Sequence, residues 1–256
     1  MKTVIYYYSA TGITKKYAEA FAKAFDDAVT MPVMHGAEKV KDGDLLVFAA
    51  PVYAGRIPKN AMNAFRSVCL KNKPIVGIAV YGNMHFGAAF KQFQKLAHDN
   101  GSVLTGTGAF VARHSYSTPE APICHERPDF SDLREMELFG KKVREKVESN
   151  DLCTVNLPFS LFPQFLESFP NYSSLLAVKK PVITGECAEC GACVRVCPCG
   201  AINPKTLKIT NAKCSRCFAC VKVCNTNARR GELRIKGLKY PFAWLGRKRK
   251  KNIYEV

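Results

Sequence analysis

Along the first 150 positions, the hydrophobic residues switch between two periods. VIYYY (4–8), LLVFAAPVY (45–53) and IVGIAVY (75–81) are short apolar runs rich in β-branched and aromatic residues, as strands buried on both faces of a parallel sheet should be. VLTGTGAFVAR (103–113) adds another strand, and DAVTMPV (27–33) is a weaker one. Between them, apolar positions recur at helical spacing. Tyr17, Phe21, Ala24 and Phe25 share one face, and so do Ala89, Phe90, Phe93 and Leu96. Met136, Phe139, Val143 and Val147 make the apolar face of a charged helix over 131–149. Strand alternating with helix predicts an α/β fold with a doubly wound parallel sheet. Five strands favour the order 2-1-3-4-5 over a six-stranded dinucleotide fold.

The alternation stops near residue 150. Residues 151–185 carry four prolines and the apolar stretch NLPFSLFPQFLESFP. Prolines break helix and sheet ladders, so this segment is expected to pack against the sheet domain and fix the next module in place. A lipid-surface element is the alternative. Charge shifts at the same place. The chain has 256 residues and a formal net charge of +17, and from Lys179 onward 18 Lys and Arg stand against 4 Asp and Glu. These shifts divide the chain into a sheet domain (1–150), a connecting segment (151–182), a second module (183–231) and a basic tail (232–256). The basic excess suggests an acidic partner for the C-terminal part. No stretch is long and apolar enough to span a bilayer. The start lacks the small-residue cleavage site of a signal peptide, which places the protein in the cytoplasm.

Candidate chemistry begins at the first predicted strand-to-helix turn, YYYSATGITKKYA (6–18). Ser9, Ala10, Thr11, Gly12, Ile13 and Thr14 combine hydroxyls with backbone N–H groups at a helix start, which suits a phosphate monoester. A plain capped helix start would use the same residue types. The turn is neither GxGxxG nor GxxxxGK[ST], which weakens dinucleotide and nucleoside-triphosphate readings. The next two strands end in Pro51, Val52, Tyr53, Ala54 and Gly55, and in Tyr81, Gly82, Asn83, His85 and Phe86. Those loops fall at the carboxyl ends of the strands, where open parallel sheets bind ligands. Tyr53 and Tyr81 or Phe86 offer faces for a planar ring. Gly55, Gly82 and Gly87 allow close backbone approach. Strand-end turns around core aromatics would leave the same pattern. His85 could tune or protonate a ligand, while His114 and His125 flank a loop that could cover it. No acid–base or nucleophile constellation stands out.

Eight of the 12 cysteines fall in two copies of C-x₂-C-x₂-C-x₃-C: Cys187, Cys190, Cys193 and Cys197, then Cys214, Cys217, Cys220 and Cys224. Three closely spaced thiolates wrap one face of a four-iron cubane, and this run is the signature of bacterial two-cluster ferredoxins. Zinc sites pair C-x₂-C knuckles across a loop instead. Asn225 stands where proline usually follows the fourth cysteine. Its N–H is expected to reach a cluster sulfur and raise that cluster's potential. Cys199 is surplus to both copies and reads as a small residue in a turn.

Taken together, SATGIT, the 50s and 80s loops and the cysteine repeats resemble flavodoxin–ferredoxin fusion proteins of anaerobes. PVYAGRIP, YGN and RHSYSTPEAP (113–122) match that family's sheet-domain segments. The resemblance implies a flavodoxin-like domain binding FMN at the three loops, followed by a small α+β two-cluster ferredoxin domain. It implies that the fourth cysteine of each run crosses over. One [4Fe-4S] cluster then takes Cys187, Cys190, Cys193 and Cys224, and the other takes Cys214, Cys217, Cys220 and Cys197. Ile13 departs from the family, where asparagine is usual, and tyrosine would replace tryptophan as the stacking ring. The implied function is intracellular electron transfer among FMN, the clusters and an acidic redox protein. The competing expectation is a nucleic-acid- or membrane-docking iron–sulfur module. It would use the cations Arg247 to Lys251 beside Phe242 and Trp244, with structural clusters and a vestigial flavodoxin domain. The plainer reading of that tail is a solvated, partly disordered segment.

Overall fold

A computed structural model describes residues 1–34, 42–157, 178–210, 212–234, 239–248 and 250–256. Expectations for the apolar stretch within 158–177 and for Arg249 lie outside the described residues. Five parallel strands form the core sheet: β1 (Lys2–Tyr7), β2 (Asp27–Pro32), β3 (Leu45–Pro51), β4 (Ile75–Tyr81) and β5 (Leu104–Val111). They stand in the order β2-β1-β3-β4-β5, the predicted arrangement, with one strand more beyond β5.

Side-chain alternation along β1 shows why both faces must be covered. Val4, Tyr6 and Tyr8 join one buried cluster, with Phe65 of α2 (Lys59–Val68) and Phe93 of α3 (Ala89–Asp99). Ile5 and Tyr7 join the other, with Tyr17 and Phe21 of α1 (Ile13–Ala22) and Met136, Phe139 and Val143 of α4 (Phe130–Glu148). Period 2 along the strands and 3.6 along the helices therefore meet in two apolar layers. Ala24 and Phe25 belong to the second layer, although α1 has already ended. Asp129 caps α4 by accepting from the Asp132 N–H at 3.0 Å, and Asp132 reciprocates by accepting from the Asp129 N–H.

The additional strand, β8 (Ile253–Glu255), pairs antiparallel with Thr107–Ala109 of β5. This corrects the expected solvated tail at residues 253–255, while Arg247, Lys248, Lys250 and Lys251 are exposed as expected. The chain leaves the sheet domain after α4 and returns to it at its last residues, covering what would have been an open edge. Tyr254 stacks on Phe110 at 6.1 Å and lies 5.1 Å from Phe139. Just before it, the Asn252 Oδ1 accepts from the Val111 N–H at 2.8 Å. Its Nδ2 donates to Asp132 and Glu135 at 3.1 and 2.6 Å. Asp132 also pairs with Arg127, and both side chains are buried. A buried ion pair is tolerable when its remaining hydrogen-bonding capacity is used, and Asn252 together with the Lys250 carbonyl uses it.

Between α4 and β8 sits the cysteine-rich module. Its ends are joined by β6 (Val182–Ile183) pairing antiparallel with β7 (Arg229–Arg230). The two cysteine runs repeat in the backbone as well. One-turn helices Ala192–Arg195 and Ala219–Lys222 follow left-handed residues Gly191 and Phe218. Glu189 and Arg216 are left-handed at matching positions.

Asn252→Ala should lower the unfolding free energy of the full chain by about 2 kcal/mol, because it strips partners from buried Asp132 and the Val111 N–H. Urea unfolding reads this, and an unchanged midpoint would mean the C-terminal segment does not hold the sheet.

Candidate functional site

Four loops, after β1, β3, β4 and β5, leave the carboxyl edge of the sheet around a cavity of about 300 Å³. Of the residues singled out from the sequence, Ala10, Thr11, Ile13, Thr14, Pro51, Val52, Tyr53, Ala54, Gly55, Tyr81, Gly82 and His85 line it. In the first loop, Gly12 turns left-handed (φ +82°) and no atom lies within 4 Å of where a Cβ would stand. The ribbon at the start of α1 is thus open on one side, as an anion cradle requires. Ser9 turns inward, its hydroxyl accepting from the Lys15 N–H at 3.0 Å, so it shapes the loop rather than lining the cavity.

Two expected ring contacts are used otherwise. Asn83 is fully buried, and its amide holds the returning chain. The Nδ2 donates to the carbonyls of Gly246 and Lys248 at 2.7 and 2.8 Å, and the Oδ1 accepts from the Lys250 N–H at 3.2 Å. Phe86 packs edge-on to Tyr81 and 4.7 Å from Phe90, as part of the core. The glycines also differ from expectation. A Cβ on Gly87 would strike the Gly55 backbone, and one on Gly82 would strike His114. Gly87 lets the loop after β4 pack on the loop after β3, and Gly82, which also lines the cavity, lets it pack on the loop after β5.

The loop after β5 carries His114, expected beside a loop over the ligand, together with side chains to which the sequence pattern assigns no individual role. Arg113, His114, Ser115 and Tyr116 all line the cavity. His114 Nδ1 accepts from the Tyr116 N–H at 3.1 Å. Burial, helped by the Lys222 cation, pushes its pKa down to about 4, so the ring is neutral. His85 is likewise held below its usual range by burial and by Lys250. His125 instead meets Ser117 on the exposed side of the loop.

A second cavity lies inside the cysteine-rich module. Cys197, Cys214, Cys217 and Cys220 line it together with Cys199, and Pro181, Ile202 and Ile209 are among its walls. Polar hydrogens approach these sulfurs. The Ala201 N–H donates to Cys197 Sγ at 3.2 Å, and the Arg216 and Ala219 amides approach Cys214 and Cys217. Burial pushes the Cys217 and Cys220 thiols up to about 11 and 12. Among the described residues, no three His, Cys, Asp or Glu side chains close around a single metal ion. A cubane is a larger body, and its four thiolates stand farther apart than ligands around one ion.

The other four cysteines face outward: Cys187 and Cys190 are exposed, and Cys193 and Cys224 are partly so. The expected Asn225 donor is not among the groups reaching Cys224. The N–H groups that do so belong to Thr226, Ala228 and Arg229, the last at 3.4 Å. A left-handed Asn227 turns the chain and aims these later amides back.

The two cavities share a wall. Arg216 borders both, and Cys217 packs with Ala10 of the first loop and with Tyr53. Tyr116 lies 4.7 Å from Phe218, and its hydroxyl donates to the Arg216 carbonyl at 3.3 Å. Cys199 accepts from Asn60 Nδ2 at 3.4 Å and lies beside the buried Tyr8 hydroxyl. The position of Arg216 inside the second cysteine run is the only sequence signal for this wall.

A profile of the flavodoxin domain family matches residues 4–111. The N-terminal region is therefore a flavodoxin-like domain. Similar solved structures include a flavodoxin from the domain Archaea, at 17% identity and TM-score 0.44, covering 58% of this chain and 99% of that one. Flavodoxin 1 from Bacillus cereus is 15% identical with TM-score 0.43, covering 57% and 98%. A Fusobacterium nucleatum flavodoxin bound to flavin mononucleotide is 13% identical with TM-score 0.41, covering 57% and 99%. No curated protein sequence matches the chain. No helix among the described residues is long and apolar enough to cross a membrane.

Cys199→Ser should leave the iron content of anaerobically reconstituted protein unchanged, whereas Cys197→Ser should remove about half of it. Equal loss in both variants would make Cys199 a ligand.

Proposed function

We propose that this protein is an electron-transfer protein. In this reading FMN binds in the cavity at the carboxyl edge of the sheet, and two [4Fe-4S] clusters are bound by the cysteine runs of a ferredoxin-like module. The observation that carries the reading is the shared wall, which puts a cavity lined by five cysteines, four of them from the two repeats, directly against a cavity lined by four loops of a flavodoxin-like domain. FMN supplies exchange of one or two electrons, and each cluster supplies exchange of one.

The chain's own residues divide the work. Backbone N–H groups from Ala10 to Thr14, with the Thr11 and Thr14 hydroxyls, hold the phosphate against the start of α1. Tyr53 and Tyr81, with the backbone of Pro51–Gly55 and Gly82, would hold the ring. Cys214, Cys217, Cys220 and Cys197 hold the cluster nearest the flavin. Pro181, Ile202, Ile209 and Phe218 exclude water from it, and the Ala201 amide steadies a thiolate charge. Cys187, Cys190, Cys193 and Cys224 hold the outer cluster, whose exposure suits exchange with a separate protein. The basic excess of this half selects an acidic redox partner. The return of the chain into the sheet at β8 weighs against a free basic tail for nucleic acid or membrane.

Anaerobic reconstitution with FMN, iron and sulfide should load about eight irons and one flavin per chain, all reducible in a titration followed by absorbance and EPR. Iron and sulfide bound without FMN would sink the flavin half. Zinc held in place of iron and sulfide would sink the cluster half.

A further inference from the structure

The cavity assigned to FMN has a strongly one-sided charge. Arg113 and Arg216 line it, and no Asp or Glu does among the described residues. Lys222 stands close enough to Arg113 and His114 to act on both, and Lys250 acts on His85. These cations come from separate parts of the chain. Arg113 follows β5, Arg216 and Lys222 belong to the second cysteine run, and Lys250 lies on the returning segment. Burial first, and then Lys250 and Lys222, lower the pKa values of His85 and His114, which agrees with such a surrounding.

Their place along the sheet shows which part of the ligand they meet. The hydroxyl-rich loop follows β1, whereas Arg113 follows β5, three strand spacings away through β3 and β4. At about 4.8 Å per spacing, that is roughly 14 Å from the phosphate cradle. Arg113 therefore faces the ring end. Arg216 reaches the same space from the module side, held in place by an Nη1 hydrogen bond to the Val178 carbonyl at 2.7 Å.

We infer that the ring end of the cavity is an anion site built jointly by the two modules, in which Arg113, Arg216 and Lys222 favour the negatively charged reduced form of FMN. The inference rests on the FMN reading above. Full reduction adds two electrons, delivered singly by an external donor through the clusters. It is accompanied by one proton, giving an anionic ring, or by two, giving a neutral one. Cations with no lining carboxylate stabilise the one-proton product and leave the uncharged oxidised ring nearly unaffected. Reduced flavin is thereby bound more tightly than oxidised flavin, which raises the flavin potential.

The test uses the reconstituted full chain with Arg113→Gln and Arg113→Lys. Binding of oxidised FMN is measured by fluorescence quenching, and the flavin midpoint by anaerobic spectroelectrochemistry. Together they give the ratio of affinities for reduced over oxidised FMN. Arg113→Gln should lower that ratio by about tenfold, through loss of one nearby charge in a partly buried site. Arg113→Lys should restore most of it, and cluster midpoints followed by EPR should stay where they are. An unchanged ratio in Arg113→Gln, with FMN still bound, overturns the anion site and leaves the FMN reading standing. A wild-type chain that binds no FMN overturns both.

Discussion

The arrangement depends on a buried polar knot at the carboxyl edge of the sheet. Arg127 pairs with Asp132, Asp132 accepts from Asn252, and Asn252 accepts from the backbone of β5. Next to it the Asn83 amide holds Gly246, Lys248 and Lys250. Each of these groups would be costly to bury alone, and apart from the Arg127–Asp132 pair the links join segments more than a hundred residues apart. The knot ties the end of the chain to the sheet, so the cysteine-rich module is attached at both of its ends. Such a loop has little freedom to swing away from the domain that carries it.

That attachment gives meaning to the packing between the modules. Cys217 against Ala10 and Tyr53, and Tyr116 against Phe218, are contacts between separate parts of one chain. Held at both ends, they bring the cysteine cavity and the loop cavity to a common wall at Arg216. For the proposed function, in which electrons pass between groups bound on either side, a fixed wall would serve better than a flexible linker. The same attachment delivers Lys222 and Lys250 to the rim of the loop cavity and makes its charge a joint property of the modules.

Much of this is legible in the sequence, for definite reasons. Buried parallel strands such as IVGIAVY must be apolar throughout, so their positions and order follow from composition and count. The cysteine repeat is equally plain in the sequence, and its two copies share left-handed turns at matching positions. The hidden part is long-range. KNIYEV gives no sign that Asn252 and Tyr254 belong to the sheet, since three residues make a strand only where a partner edge awaits them. Asn83 reads as a ligand contact in the sequence because an asparagine amide suits a ring edge and a chain segment equally well. Gly87 points toward a ligand for the same reason, and loop-to-loop packing claims it, whereas Gly82 both lines the cavity and meets His114. Arg113 and Arg216 are ordinary surface residues until the two modules meet.

Crystallography of anaerobically loaded protein, with anomalous scattering at the iron edge, tests the account most directly. It should show one four-iron peak beside Cys197, Cys214, Cys217 and Cys220, adjoining FMN in the loop cavity. A second peak should lie beside Cys187, Cys190, Cys193 and Cys224, farther from the flavin. Iron absent from the inner four cysteines, or FMN bound away from the Arg216 wall, would contradict it.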